Sequence, residues 1–156
     1  MRARLALAAL VLVLDQASKL AVLRLIEPYQ TIPVVPGFNL TLAFNRGASF
    51  SFLADAGGWQ KFFFTALAFA VSGWLGWQML RGGQSRMMNL AGALIIGGAL
   101  GNVIDRLIHG HVIDFIQVYY QHYYWPAFNL ADSAICLGAA LMVLDSFRQP
   151  ATRKPA

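Results

Sequence analysis

Apolar residues gather into four blocks along the chain, 5–23, 62–80, 90–107 and 128–144, while polar, glycine and proline residues collect between them. Each block supplies about the 17–25 residues with which a helix crosses the hydrocarbon core of a bilayer. The pattern predicts an all-α membrane bundle of four transmembrane helices. Two long connections, 24–61 and 108–127, and one short one, 81–89, join the spans. No stretch is left for a separate soluble domain, so residues 1–156 read as one membrane domain. In the first long connection Pro33, Pro36 and Gly37 lead into Phe38-Asn39-Leu40-Thr41-Leu42-Ala43-Phe44-Asn45, whose partial alternation predicts a short strand and a small sheet. The second long connection carries Tyr119, Tyr120, Tyr123, Tyr124 and Trp125, which suit a bilayer interface.

Composition agrees with the blocks: 58% of residues are hydrophobic and 12% charged, against about 45–50% and about 25% in a soluble domain. Charge sets the orientation. Arg2, Arg4, Arg81, Arg86, Arg148, Arg153 and Lys154 all fall at one end of the spans, the bias of cytoplasmic loops. Both termini are expected inside and the two long connections, with the sheet, on the extracytoplasmic side. The net charge of +5 is a topology signal, and without a basic run interleaved with aromatics no nucleic-acid partner is expected. The opening Met1-Arg2-Ala3-Arg4 and its apolar run resemble a secretory signal, but no small-x-small cleavage site follows, so the segment is expected to stay as the first span. Cys136, the single cysteine, has no disulfide partner and reads as a packing residue. Gly97-x-x-x-Gly101 offers a face for close helix approach, and Ala131, Ala134, Gly138 and Ala139 on the fourth span are a plausible opposite surface.

Five of the seven acidic side chains, Asp15, Asp105, Asp114, Asp132 and Asp145, lie within or at the edges of the apolar blocks. A charge at membrane depth costs roughly 2.5–3.5 kcal/mol on insertion scales unless it is paired or faces a polar cavity. Asn102, Asp105, Arg106 and His109 share one helical face by their spacing, so Asp105 is expected to pair with Arg106 or His109. Asp114, in Val112-Ile113-Asp114-Phe115, and Asp132, in the opening turn of the fourth span, fall at the same membrane surface, with Asn129 placed to cap that helix. Brought together, two carboxylates hold one proton between them, the state required for acid–base hydrolysis of an amide. Asn45 can present its amide to a substrate, and Gly47 permits a turn beside it. Asp15 is expected either to close the base of a cavity or to cap backbone groups.

In this order and on four spans, Asp15-Gln16-x-x-Lys19, Asn45-x-Gly47-Ala48-x-Phe50, Gly101-Asn102-x-x-Asp105-Arg106, Val112-x-Asp114-Phe115 and Phe128-Asn129-x-Ala131-Asp132 resemble the bacterial lipoprotein signal peptidase (signal peptidase II) family. The resemblance implies a catalytic aspartate dyad, Asp114 and Asp132. Asn45, Gly47, Asn102, Arg106 and Asn129 then line or support the substrate site, and Asp15 and Asp105 have noncatalytic roles. It implies four transmembrane helices with an extracytoplasmic β-cradle, fitted by 38–52, and a short interfacial helix supplied by part of 53–62. The implied substrate is a diacylglyceryl-modified prolipoprotein cut immediately before its lipidated cysteine, in the cytoplasmic (inner) membrane. Globomycin is the expected inhibitor, membrane lipids the surroundings, and no cofactor or metal is expected; a monomer is the default. Two rivals come from other classes. His109-x-His111-x-x-Asp114 with His122 resembles a metal-ligand set but lacks the His-Glu-x-x-His arrangement of a helical zinc site, and buried acids also suit a proton-coupled transporter, although no duplicated half is visible.

Overall fold

The computed structural model describes residues 2–47 and 58–148. Four helices, α1 (Arg2–Leu25), α2 (Gln60–Arg81), α3 (Arg86–Ile108) and α4 (Leu130–Arg148), are each long and apolar enough to cross a membrane. They outrun the apolar blocks at most ends because arginine-bearing end turns continue the helix. At the start of the fourth block the opposite happens: Phe128 precedes α4 and forms a β-bridge with Ile116. Strands β1 (Thr31–Val35), β2 (Phe38–Asn45), β3 (Val112–Tyr120) and β4 (Tyr123–Tyr124) form an antiparallel sheet in the order β1-β2-β3-β4.

The sheet therefore holds more of the chain than the alternation around Phe38–Asn45 predicts. Residues 112–124, read from their aromatics as an interfacial segment, supply two of its strands. Aromatic and β-branched residues suit a half-buried strand as well as an interface, and only the partner β2 decides between them. The remainder of the expected cradle, 48–52, and residues 53–57 of the expected interfacial helix lie outside the described residues. Residues 60–62 open α2.

α3 is the central helix and packs against the other three. Its glycines divide by partner. A Cβ on Gly97 would fall 2.6 Å from the Ala8 carbonyl of α1, and one on Gly101 would run into Asp15 and lie 3.5 Å from the Ala131 Cβ, so the Gly97–Gly101 face receives α1 first, with Ala131 of α4 at its edge. The α3–α4 contact uses Gly98, against Ala131 and Ile135, and Gly138, against Ala91 and Ile95. Small residues thus bring three backbones together where polar side chains can meet.

The sheet covers the end of the bundle at which α1 and α3 finish. Val22 of α1 and Ile26, just beyond its end, pack with Leu42, Ile113 and Phe115. Gly110, at φ 77°, ends α3 in the left-handed conformation, with its N–H donating to the Arg106 carbonyl and that of His109 to Asp105. That turn carries the chain from α3 into β3 and puts Asp114 six residues beyond the helix.

Candidate active site

Two backbone elements aim the two acids. Alternate residues Ile113 and Phe115 join the core cluster, so Asp114 between them projects from the opposite face of β3. Ala43 lies across from Asp114 in the sheet register, and Asn45, two residues along β2, donates from Nδ2 to Asp114 Oδ2 at 3.1 Å. The Gly47 N–H donates to Asn45 Oδ1 at 3.0 Å, which fixes that amide with its NH2 towards the acid. Asp132 sits in the first turn of α4. Asn129 caps the helix, accepting from Asp132 N at 2.9 Å, and the helix dipole favours negative charge at this end.

The same Asn129 joins the two acids. Its Nδ2 donates to Asp114 Oδ1 at 2.7 Å and lies 3.3 Å from Asn102 Oδ1, while Asn102 Nδ2 donates to Asp132 Oδ1 at 2.8 Å. Asp114 is 2% exposed. Burial, then the nearby charge of Asp132, pushes its carboxyl from 3.8 up to about 7, against the opposing pull of the Asn45 and Asn129 amides and of Lys19. A carboxyl with that affinity holds or yields a proton near neutral pH, as hydrolysis of an amide requires.

Beneath this chain of amides lies a buried ionic cluster. Lys19 Nζ is 2.9 Å from Asp15 Oδ2, 2.7 Å from Asp105 Oδ2 and 3.0 Å from Asn102 Oδ1. Gln16 Nε2 donates to Asp105 Oδ1 at 2.9 Å and to the Gly101 carbonyl at 3.1 Å. Asp15 Oδ1 accepts from Ala131 N at 2.9 Å, so it caps a backbone group of α4, the second of its two expected roles. Asp105 Oδ2 accepts from Ile113 N at 3.2 Å. The expected pairing of Asp105 with Arg106 or His109 is not the one formed; a lysine on another helix takes it, because α1 packs against the glycine face of α3. Arg106 instead donates to the Asn102 and Gly47 carbonyls at 3.3 and 3.4 Å, its guanidinium 5.4 Å from the Phe64 ring centroid.

Asp132 opens onto apolar space. A cavity of about 310 Å³ lies between α2 and the α3–α4 pair, walled by Phe64, Leu67, Val71, Ile95 and Ile135 and headed by Asn102, Arg106 and Asp132. A second, of about 340 Å³, lies under Trp125, Pro126 and Phe128 and also reaches Asp132. The rival metal-ligand set is not assembled: among the described residues no three His, Cys, Asp or Glu side chains are grouped to hold an ion, and His111 packs against the Phe44 ring at 4.5 Å.

The model of the signal peptidase (SPase) II family matches residues 7–148. The chain belongs to this family. It is 65% identical over 147 residues to the lipoprotein signal peptidase of Chromobacterium violaceum, spanning 93% of this chain and 91% of that one. Against the lipoprotein signal peptidase of Neisseria meningitidis serogroup C it is 57% identical over 143 residues, 91% and 86% of the two chains. A bacterial membrane enzyme solved by the in meso method at 2.3 Å superposes with a TM-score of 0.87 at 28% identity, covering 100% of this chain and 94% of that one. The family's enzymes cleave prolipoprotein signal peptides, and this chain is a lipoprotein signal peptidase of that kind.

All nine residues singled out in the sequence meet in one network. Asp114, Asp132, Asn45, Asn102 and Asn129 form its upper part, Gly47 and Arg106 its edge, and Asp15 and Asp105 its base. Sequence reasoning left out the work of Gln16 and Lys19. Their signal was present, since a lysine and a glutamine in an apolar span need partners, but beyond the neighbouring Asp15 the partners, Gly101, Asn102 and Asp105, lie more than eighty residues away.

Proposed function

We propose that the chain hydrolyses diacylglyceryl-modified prolipoproteins immediately before the lipidated cysteine, with Asp114 and Asp132 as an aspartate dyad acting on water. The observation that carries this reading is the single chain of amides, Asn129 and Asn102, that joins two buried carboxylates at the head of an apolar cavity. Asp114 holds the shared proton and hydrogen-bonds the scissile carbonyl. Asp132, at the helix N-terminus, takes a proton from the attacking water. Proton return to the nitrogen then releases the amine. The signal helix and acyl chains remain in the lipid-facing cavities while the peptide bond reaches the dyad, so neither has to leave an apolar environment. Asn45 and Arg106 orient the substrate backbone, and Asp15 and Asp105 hold the frame without touching the reacting atoms.

The enzyme is a single domain of the bacterial inner membrane, with its termini in the cytoplasm and the sheet and dyad at the extracytoplasmic face. Globomycin competes for this site, and the monomer is the working unit.

The test is cleavage by purified protein in detergent, comparing a diacylglyceryl-modified precursor with the same precursor unmodified. The modified one is expected to be cut far faster, because the membrane-held thioether fixes the adjacent peptide bond in a reactive orientation. Asp114→Asn and Asp132→Asn are each expected to abolish turnover while the protein stays folded. Equal efficiency on both precursors defeats the substrate assignment, and near-normal turnover by either variant defeats the dyad.

A further inference from the structure

We infer that Lys19 is a positioning residue for the two acids: its buried ammonium ties together the three side chains that aim Asp114 and Asp132 without pairing with either. The inference rests on the dyad reading. An ammonium is a compact charge with three N–H donors, and at this site, 1% exposed, each has an acceptor: Asp15 at 2.9 Å, Asp105 at 2.7 Å and Asn102 at 3.0 Å.

Every one of those acceptors leads to an acid of the pair. Asp15 holds the N–H of Ala131, the residue before Asp132. Asp105 holds the N–H of Ile113, the residue before Asp114. Asn102 donates directly to Asp132. One side chain of α1 thereby sets the start of α4, the start of β3 and an amide of α3 relative to one another. Without the ammonium, Asp15 and Asp105 face the same buried space as like charges with no cation between them. Both then move apart, and both acids of the pair lose their fixed backbones.

The charge of Lys19 also reaches the pair. The charged groups around Asp114 are Asp132 on α4, Lys19 and Asp15 on α1, and Asp105 and Arg106 on α3. Lys19 and Arg106 are the cations among them, and the Lys19 charge favours ionisation of Asp114. Its removal therefore moves the loss of the pair's proton to higher pH. A lysine that merely stabilised the fold would change how much enzyme is active, not where its rate titrates.

The experiment uses full-length Lys19→Met and Lys19→Gln, purified in detergent and checked for folding by thermal unfolding. Cleavage of lipidated precursor is measured across pH. In the folded fraction kcat is expected to fall about 100-fold, the scale on which a small misplacement of reacting groups acts. KM is expected to change much less, and the high-pH limb of the profile to move upward. A limb that stays in place, or a kcat close to that of the unaltered enzyme, overturns the proposal. Failure of both variants to fold also overturns it, because Lys19 is then a folding residue. Asp114→Asn and Asp132→Asn test the dyad separately: if either of them retains turnover, the dyad fails whatever Lys19 does.

Discussion

At the residue scale the decisive property is the proton affinity of Asp114. Its carboxyl is raised from 3.8 to about 7, first by burial and then by Asp132. The folded protein therefore binds a proton more tightly than the unfolded chain. Stability from this group is full below the unfolded value and is lost as pH rises through about 7. Under the proposed dyad, activity follows the same titration. Two coupled carboxyls do acid–base chemistry with one proton between them, so kcat is expected to decline on the alkaline side with a midpoint near 7. Initial rates measured from about pH 6 to about pH 9 check this, and a flat profile removes Asp114 from the proton-holding role. The identity of the acids was legible in the chain because carboxylates in apolar blocks stand out. The affinity of Asp114 was not, since it depends on burial and on the approach of Asp132, opposed by Asn45, Asn129 and Lys19, all of which sequence separation hides.

At the element scale the central helix decides the geometry. α3 is lined with small residues because α1 and α4 both press on its backbone, and the candidate site forms where all three come close. Gly138 makes this testable away from the acids. A Cβ there would lie 2.8 Å from the Ala91 carbonyl and 2.6 Å from the Ile95 side chain. Gly138→Leu must separate α3 from α4 or distort both, and overpacking of this kind typically costs about 1–3 kcal/mol. The expected outcome is a lower unfolding temperature in detergent together with reduced turnover, because Asn102 on α3 and Asp132 on α4 must stay 2.8 Å apart. Unchanged stability and turnover contradict a tight α3–α4 contact. Four spans and a glycine interface were readable from hydropathy and spacing, but the partner of each glycine was not. Gly97 and Gly98 are neighbours in sequence that face different helices, and the one-residue step between them, about 100° around the helix axis, is settled only by the assembled bundle. The sheet shows the same limit: β2 announced itself by alternation, and β3 became a strand by pairing with it.

At the scale of the whole molecule, the site has a direction. α1 and α3 end, and α2 and α4 begin, at the end covered by the sheet, and the two acids lie there. Arg2, Arg4, Arg81, Arg86 and Arg148 mark the opposite end. In the proposed orientation, which rests on the excess of arginine and lysine in cytoplasmic loops, the arginine end faces the cytoplasm. The acids then face outward, where a precursor's cleavage site emerges while its signal helix is still in the bilayer. Single cysteines in a Cys136→Ser background report the arrangement. Gln30 and His122 are exposed at the sheet end, and Gly83 is exposed in the short connection at the other, where an added Cβ meets nothing within 4 Å. In intact cells with a permeabilised outer envelope, a membrane-impermeant thiol reagent is expected to label Gln30→Cys and His122→Cys but not Gly83→Cys. Disrupting the inner membrane should then expose Gly83→Cys. The reverse pattern would put the two acids on the cytoplasmic side, where a signal helix inserted from that face presents its amino-terminal end rather than its cleavage site, and the proposed reaction could not occur.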